Sequence, residues 1–261
     1  MSQPVLETRG LTIRFGGHIA VDNVSAAFHA GTLTAIVGPN GAGKTTYFNL
    51  ISGQLPVSAG SVLLDGTEVT RLGAAARTRR GIGRAFQLTN LFPNLTVHEN
   101  VRLAVQARAG GGADIFSRWG SRRDWLDRAD RFLAAANLQD KRDLLAVALP
   151  HGDKRKLEVA IMMALEPRVF MFDEPTAGMS LDDVPVILDL IRKLKAEGDK
   201  TILLVEHKMD VVKSLADRIV VLHNGRLVAD GQPAEVIGSA IVQEAYLGVP
   251  ANVSGSEAAH G

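Results

Sequence analysis

The strongest constraint on this chain is a glycine-rich loop that directly follows a short apolar run. The run is Leu33–Val37, and the loop reads Gly38-Pro39-Asn40-Gly41-Ala42-Gly43-Lys44-Thr45-Thr46. It fits the pattern G-x-x-x-x-G-K-[ST], in which glycines let backbone N–H groups curve around phosphates and the next helix presents its positive end. The sequence predicts a phosphate-binding loop between a strand and a helix. Lys44 is then placed to reach the β- and γ-phosphates, and the Thr45 hydroxyl to bind Mg²⁺.

Two further apolar runs indicate strands that are covered on both faces. Val169–Phe172 and Thr201–Val205 are almost continuously apolar, which is typical of the buried strands of a parallel sheet. Apolar residues at helical spacing lie between them, and we expect Asp182 to be the N-cap of that helix, with Pro185 in its first turn. A strand, a helix and a strand in this order predict an α/β fold with a mostly parallel sheet.

The rest of the chain predicts two smaller units around this core. Asp65-Gly66 and Asn224-Gly225 follow short apolar runs, and such pairs favour the tight turns of antiparallel hairpins. From Phe86 to about Leu165 the sequence becomes helical and charged. We therefore expect an antiparallel β subdomain and an α-helical subdomain that is inserted between strands of the core.

These patterns predict one domain over residues 1–249. Its expected parts are a core of 1–86 and 166–235, a helical subdomain of about 87–165 and a C-terminal helix of about 236–248. The small and polar tail 250–261 is expected to be disordered.

Two acidic residues and a histidine are the candidate catalytic groups. Asp173 and Glu174 close one buried strand, and His207 follows the next. Asp173 suits a Mg²⁺ ligand, and Glu174 is placed to orient or deprotonate an attacking water. A lone histidine after a strand is more often structural, but the carboxyl ends of parallel strands meet at one edge of the sheet. We expect His207 to contact the γ-phosphate and the water there.

The composition argues against several other functions. The 261 residues carry a formal net charge of +1, which indicates no nucleic acid partner, and there is no cysteine for disulfides, thiolate metal sites or thiol nucleophiles. The N-terminus lacks the pattern of a secretory signal, and the apolar runs are far shorter than a bilayer span. We therefore expect a soluble chain whose role at a membrane would depend on a partner.

Five motifs, in one order, resemble those of the ATP-binding subunits of ABC transporters over nearly the whole chain. They are the phosphate loop Gly38–Thr46, Gln87 in Arg84-Ala85-Phe86-Gln87, the signature Leu149-Pro150-His151-Gly152-Asp153, the Walker B strand Val169–Glu174 and the switch histidine His207. The resemblance implies a P-loop NTPase fold and hydrolysis of ATP.

The resemblance also implies ligands and partners for these residues. Mg²⁺ would be bound by Thr45, Gln87 and Asp173, and Gln87 would link the helical subdomain to membrane subunits. Phe15, upstream of the phosphate loop, would stack on adenine. Two subunits would form a head-to-tail dimer in which the signature of one, through Leu149, Gly152 and Asp153, closes the ATP site of the other.

Within the family, the chain is most similar to the ATPases of importers for branched-chain and related hydrophobic amino acids. The matching segments are Phe15-Gly16-Gly17 with 20–24, Phe86-Gln87 with 91–97, the long insertion around 110–136 and Ala245-Tyr246-Leu247-Gly248. Such importers contain two different ATPases, two membrane subunits and an external binding protein, which would place this chain in the cytoplasm on the inner face of the membrane. Lipopolysaccharide-export ATPases, which have a shorter insertion, are the alternative.

The signature departs from the family pattern Leu-Ser-Gly-Gly-Gln. Pro150 replaces the serine and lacks a backbone donor, and Asp153, an expected helix N-cap, would oppose a γ-phosphate unless Lys154 or Arg155 compensates. In the following D-loop (Gly178-Met179-Ser180), Ser180 replaces the usual acid. We therefore hypothesise two unequal ATP sites in a heterodimer, with the site on this chain's own phosphate loop the more active.

Three further alternatives remain open. The arginine- and tryptophan-bearing insertion (Arg118, Trp119, Arg122, Arg123, Trp125, Arg128 and Arg131) would suit a lipid or nucleic acid patch, but interleaved aspartates favour a solvated helix. An ABC ATPase of DNA repair or translation would carry a coiled-coil insertion or a second cassette, which this sequence lacks. Glu174 and His207 argue against a regulator that binds ATP without hydrolysing it.

Overall fold

The computed structural model describes residues 3–85, 91–109, 122–239 and 242. Gln87, the first part of the insertion (110–121), most of the expected C-terminal helix and the tail lie outside these ranges. Within them, no helix is long and apolar enough to cross a bilayer.

The described residues form ten strands and eight α-helices. The strands are β1 (Leu6–Phe15), β2 (His18–Phe28), β3 (Leu33–Val37), β4 (Ala59–Leu64), β5 (Thr67–Glu68), β6 (Ile82–Ala85), β7 (Val169–Asp173), β8 (Thr201–Val205), β9 (Arg218–His223) and β10 (Arg226–Gly231). The helices are α1 (Lys44–Ser52), α2 (Ala74–Arg79), α3 (Val97–Arg108), α4 (Arg122–Ala135), α5 (His151–Leu165), α6 (Val184–Ala196), α7 (Met209–Leu215) and α8 (Pro233–Ile237).

The central sheet has the strand order β10-β9-β3-β8-β7-β6. Every neighbouring pair is parallel except β10 and β9, which form the hairpin predicted at Asn224-Gly225. Along β7, Phe170 and Phe172 pack into one apolar core while Val169 and Met171 pack into another. Because alternate side chains meet different cores, the strand is buried on both faces, as its apolar sequence predicts. The mostly parallel sheet of the prediction is confirmed.

A second, antiparallel sheet has the order β2-β1-β4-β5. It packs through Leu6, Phe28 and Val62 on the face of the central sheet that carries α1. The predicted turn at Asp65-Gly66 joins β4 and β5. The register of β1 against β2 shifts three times. Such shifts interrupt the alternation of apolar and polar residues, so the sequence pattern does not predict these two long strands.

The helices α3, α4 and α5 pack on one another and form the inserted helical unit. Thr96 caps α3: its hydroxyl accepts from the Glu99 backbone N–H, and the Glu99 carboxylate accepts from the Thr96 N–H. Helix α4 buries Ala129 and Leu133 and exposes Arg123 and Arg131, so this part of the insertion is an ordinary amphipathic helix.

Two local expectations are wrong. The residue before α6 is Asp183 rather than Asp182, because the Ser180 carbonyl and hydroxyl accept from the N–H groups of Val184 and Asp183 and close a turn there. Asp153 is not an N-cap, since α5 begins at His151 after Pro150 and Asp153 lies inside its first turn. Pro185 does lie in the first turn of α6.

Candidate nucleotide-hydrolysis site

The phosphate loop connects the C-terminal end of β3 to the N-terminus of α1. Gly43 precedes the helix with a left-handed backbone (φ 95°) and no side-chain cap, so the first N–H groups of α1 have no acceptor from a capping side chain. The Lys44 ammonium is buried and donates to the carbonyl oxygens of Gly38 (2.7 Å) and Pro39 (2.9 Å), which folds the loop around it. An uncapped helix end and a central lysine together can bind a polyphosphate.

Glycine is required in this loop because other chain segments pass close behind it. A Cβ on Gly38 would lie 2.1 Å from the Leu222 carbonyl oxygen, and one on Gly43 would lie 2.5 Å from the Ala20 carbonyl oxygen. The second contact brings β2 against the loop. Phe15 lies on the same hairpin, at the end of β1, and half of its surface is exposed. An exposed ring on this hairpin is available for stacking, as predicted for adenine.

The acidic end of β7 lies beside the loop. Burial raises the pKa of the Asp173 carboxyl, and Arg84 and Lys44 oppose this shift. Burial also lowers the pKa of the Lys44 ammonium, while the neighbouring carboxylates of Glu174 and Asp173 oppose the change. The structure therefore brings Lys44, Asp173 and Glu174, which are far apart in sequence, into one electrostatic unit.

Arg84, on β6, is a residue of this site that the sequence analysis did not single out for a role. Its guanidinium donates to Asp173 Oδ2 (2.7 Å), and both side chains are almost fully buried. It also donates to the side chains of Asn49 and Ser52 on α1. Arg84 thus joins the Walker B acid to the helix that carries Lys44 and Thr45.

Glu174 and His207 contact each other across the ends of β7 and β8. The distance from His207 Nε2 to Glu174 Oε1 is 2.7 Å, and both side chains are more than a third exposed. Glu174 has a left-handed backbone (φ 50°), and its N–H donates to the Val205 carbonyl. An acid and an imidazole in contact at an open sheet edge can orient and deprotonate a water.

Two oxygen-bearing side chains at this edge suit a Mg²⁺ ion. The described residues contain no group of three or more His, Cys, Asp or Glu side chains that could hold a metal. The Thr45 hydroxyl and the Asp173 carboxylate fit the hard oxygen ligands of Mg²⁺, which characteristically takes one or two protein ligands together with phosphate oxygens and water. The third predicted ligand, Gln87, lies outside the described residues.

The signature segment is built differently, from ion pairs within the chain. The buried Asp153 carboxylate pairs with Lys141 and with Lys156, so these two lysines, rather than Lys154 or Arg155, compensate its charge. Lys156 also pairs with Asp183, the residue that precedes α6 and follows the D-loop by three positions. Leu149 is buried in the apolar core of the helical unit.

Gly152 and His151 bring the signature against the D-loop. A Cβ on Gly152 would lie 2.5 Å from Asp183 Oδ2, and one on Gly178 would lie 3.4 Å from the His151 ring. Ser180, which stands where the family has an acid, donates its hydroxyl hydrogen bond to Asp183 within the same chain (2.8 Å).

Comparisons with known proteins give this geometry a class. The family model described as "ABC transporter" matches residues 21–177. A solved structure of the ADP conformation of MJ1267, an ATP-binding cassette of an ABC transporter, superposes with a TM-score of 0.79 at 28% identity, covering 95% of this chain and 100% of that one.

Two curated relatives match over nearly their full lengths. The high-affinity branched-chain amino acid transport ATP-binding protein BraF of Pseudomonas aeruginosa is 38% identical, over 95% of this chain and 99% of its own. The lipopolysaccharide export system ATP-binding protein LptB of Escherichia coli is 30% identical, over 93% and 97%.

The fold and the phosphate-loop site define an ATP-binding and ATP-hydrolysing domain. The chain belongs to the ABC transporter family, which confirms the resemblance inferred from its motifs.

Proposed function

We propose that this chain is the ATP-hydrolysing subunit of an importer for branched-chain or related hydrophobic amino acids. The substrate class rests on the similarity to BraF over nearly the full length of both chains. The identity to BraF is 38%, whereas the identity to LptB is 30%. The observation that supports turnover is the grouping of Lys44, Asp173, Glu174 and His207 at one sheet edge.

The residues of this edge have distinct roles in the proposal. Lys44 and the backbone of residues 38–46 bind the phosphates, and Phe15 stacks on the adenine. Mg²⁺, bound by Thr45 and Asp173 with Gln87, would neutralise phosphate charge when it is present with ATP. Glu174 orients and deprotonates the water, and His207 holds Glu174 on one side and the γ-phosphate on the other.

A second ATPase subunit, homologous but different, completes the ATP site on this chain's phosphate loop with its signature, and this chain's signature completes the ATP site of the second subunit. Two transmembrane permease subunits hold the pair on the inner face of the cell membrane, and an external binding protein delivers the substrate. A cavity of about 360 Å³ between β6 and α5, lined in part by Arg84, Leu91, Glu158 and Leu165, supports permease attachment at this surface. The cavity is lined by Arg84, which pairs with Asp173, and by α5, which begins in the signature. A permease segment bound there would contact both.

Copurification and uptake test this function. The tagged chain should bring down two membrane proteins and a second ATPase, and proteoliposomes of the complex with its binding protein should accumulate labelled leucine only with internal ATP. Glu174→Gln should abolish uptake while assembly persists. Retrieval of lipopolysaccharide-export components, or uptake that ignores ATP, would overturn the proposal.

The altered signature supports unequal sites within this complex. Pro150 removes a hydroxyl and a backbone donor, and losing one preorganised donor lowers rates in comparable sites by on the order of 10²–10³. The Lys141 and Lys156 pairs hold Asp153 in place without returning that donor. Because a signature serves the opposite site, the partner's phosphate loop faces the weakened one.

The asymmetry has its own test. Glu174→Gln should lower turnover of the complex to the small residual rate of the weaker site, whereas the same change at the equivalent acid of the second ATPase should reduce turnover far less. Pro150→Ser with Asp153→Gln should then raise the residual turnover of the Glu174→Gln complex. A larger loss from the change in the second ATPase would contradict the asymmetry and leave the transport assignment standing.

A further inference from the structure

Glu206, the residue before His207, is buried and has no place in the reaction described above. Its exposed fraction is 3%, whereas the side chains of Glu174 and His207 are more than a third exposed. In the part of the chain that the structure describes, no Lys or Arg side chain forms an ion pair with it. Burying an acid without a cation is unfavourable unless hydrogen bonds satisfy its oxygens, so the position of Glu206 requires specific donors.

Those donors come from both segments that carry the reacting pair. The Thr176 hydroxyl, two residues after Glu174 and 1% exposed, donates to Glu206 Oε1. The backbone N–H of His207 donates to Glu206 Oε2 at 2.8 Å, and that of Lys208 donates to the same oxygen at 3.4 Å. One carboxylate therefore connects the turn after β7 to the backbone of the switch histidine after β8.

This connection bears directly on the 2.7 Å contact between His207 Nε2 and Glu174 Oε1. Both side chains of that pair are substantially solvent-exposed, so surrounding atoms restrain them weakly. Their relative position depends on the backbones of the two segments. The two segments are joined by the hydrogen bond from the Glu174 N–H to the Val205 carbonyl and by the hydrogen bonds that Glu206 accepts from both of them.

We propose that Glu206 is a positioning residue: through Thr176 and the His207 backbone, it holds the imidazole of His207 against Glu174. The carboxylate form is needed because its two oxygens accept from the two segments at once. A glutamine has one acceptor oxygen, so with that oxygen on the His207 N–H its amide nitrogen would face the Thr176 hydroxyl, which would then accept instead of donate, and neither bond would keep the charge assistance that the carboxylate supplies. Misplacing a reacting group by about 1 Å can lower a rate on the order of 10²-fold.

The test separates positioning from folding. Glu206→Gln should lower kcat for ATP hydrolysis about 10-fold or more, with the KM for ATP within about twofold. Thr176→Val should lower kcat less, and Thr176→Ser, which keeps the hydroxyl, less again. Glu68→Gln, an exposed acid on β5, is the matched control for removing a negative charge.

A double-mutant cycle tests whether the effect runs through His207. If it does, adding Glu206→Gln to His207→Ala should lower kcat no further, because the positioned group is already gone. Thr176→Val added to His207→Ala should likewise leave kcat unchanged. This second cycle replaces the first if the Glu206→Gln variant does not fold. A full additional loss from either change would overturn the proposal.

An NMR measurement reports the position without any turnover. The imidazole resonance of His207, assigned by its loss in His207→Ala, should move in Glu206→Gln in the direction that it moves in Glu174→Gln. A resonance that stays in place while kcat falls would overturn the proposal. The inference depends on ATP hydrolysis alone, so a failed uptake assay would leave it untouched, and its own failure would leave the amino-acid assignment intact.

Discussion

The sheet edge that carries Lys44 and Asp173, the phosphate-loop edge, and the signature segment arrange their charged side chains in different ways. At the edge, Lys44 and Asp173 are buried, held by backbone carbonyls and by Arg84, and kept ready for a ligand. In the signature, Asp153 and Lys156 pair with each other and with Lys141 and Asp183. The first arrangement leaves Glu174 and His207 exposed at the end of the sheet, while the second has its charged groups paired with one another within the chain. Under the proposed asymmetry, this subunit would donate a complete phosphate loop and a weakened signature.

The buried ion pair of the edge gives the largest expected effect. Arg84→Met should lower the free energy of unfolding by about 3–5 kcal/mol, because it leaves the Asp173 carboxylate buried without its cation. Chemical denaturation followed by circular dichroism measures this change. Adding Asp173→Asn to Arg84→Met should recover part of the loss, since the uncompensated charge is then removed.

Lys141→Met is the matched change in the signature segment. Lys141 is 40% exposed, and Asp153 keeps Lys156 as a partner, so the loss should stay below about 1 kcal/mol. Equal losses from Arg84→Met and Lys141→Met would break the comparison between the two regions.

The next effect concerns ATP affinity at the edge. Lys44→Ala should weaken ATP binding by about 10- to 100-fold, because hydrogen bonds to charged groups contribute about 1.5–3 kcal/mol each. Calorimetric titration with ATP measures it, and Lys213→Ala, an exposed lysine on α7, should bind as the wild type does. Unchanged affinity in the Lys44 variant would contradict the role of the loop.

Sequence patterns predict those features of the fold that depend on one short segment of the chain. The bounds of β3 and β8 and both hairpin turns follow from apolar runs and turn residues, and the structure has them where they were expected. The start of α6 was missed by one residue, because Ser180 closes a turn that an N-cap rule does not describe.

Residues whose partners are distant in sequence could not be found in this way. Arg84 meets Asp173 across 89 positions, and Thr176 meets Glu206 across 30. The usable signal is a charged residue inside or directly after an otherwise apolar strand, as Arg84 is in β6 and Glu206 is after β8. Their roles still required the sheet order that brings β6, β7 and β8 side by side.

The smallest effect is a pH dependence in the signature segment. Two hydrogen bonds hold the pKa of Asp183 below its ordinary value; the one from Lys156 has the larger effect and the one from Ser180 the smaller. A carboxyl whose pKa is depressed on folding stabilises the protein above the unfolded-state pKa of about 3.9, and this contribution is lost as the pH falls through the lower folded-state value.

Asp183→Asn should therefore lower the unfolding free energy at pH 7 by at most about 1 kcal/mol, since the carboxylate is close to solvent. The difference from wild type should shrink as the pH falls below about 4 and vanish once Asp183 is protonated in both states. Thermal melts of the two proteins between pH 7 and pH 3 measure it, with Asp189→Asn on the exposed face of α6 as the control. A difference that does not shrink at all between pH 7 and pH 3 would show that the Asp183 side chain acts by shape, and the ion pairs around the signature would then not hold it by charge in the way that separates it from the phosphate-loop edge.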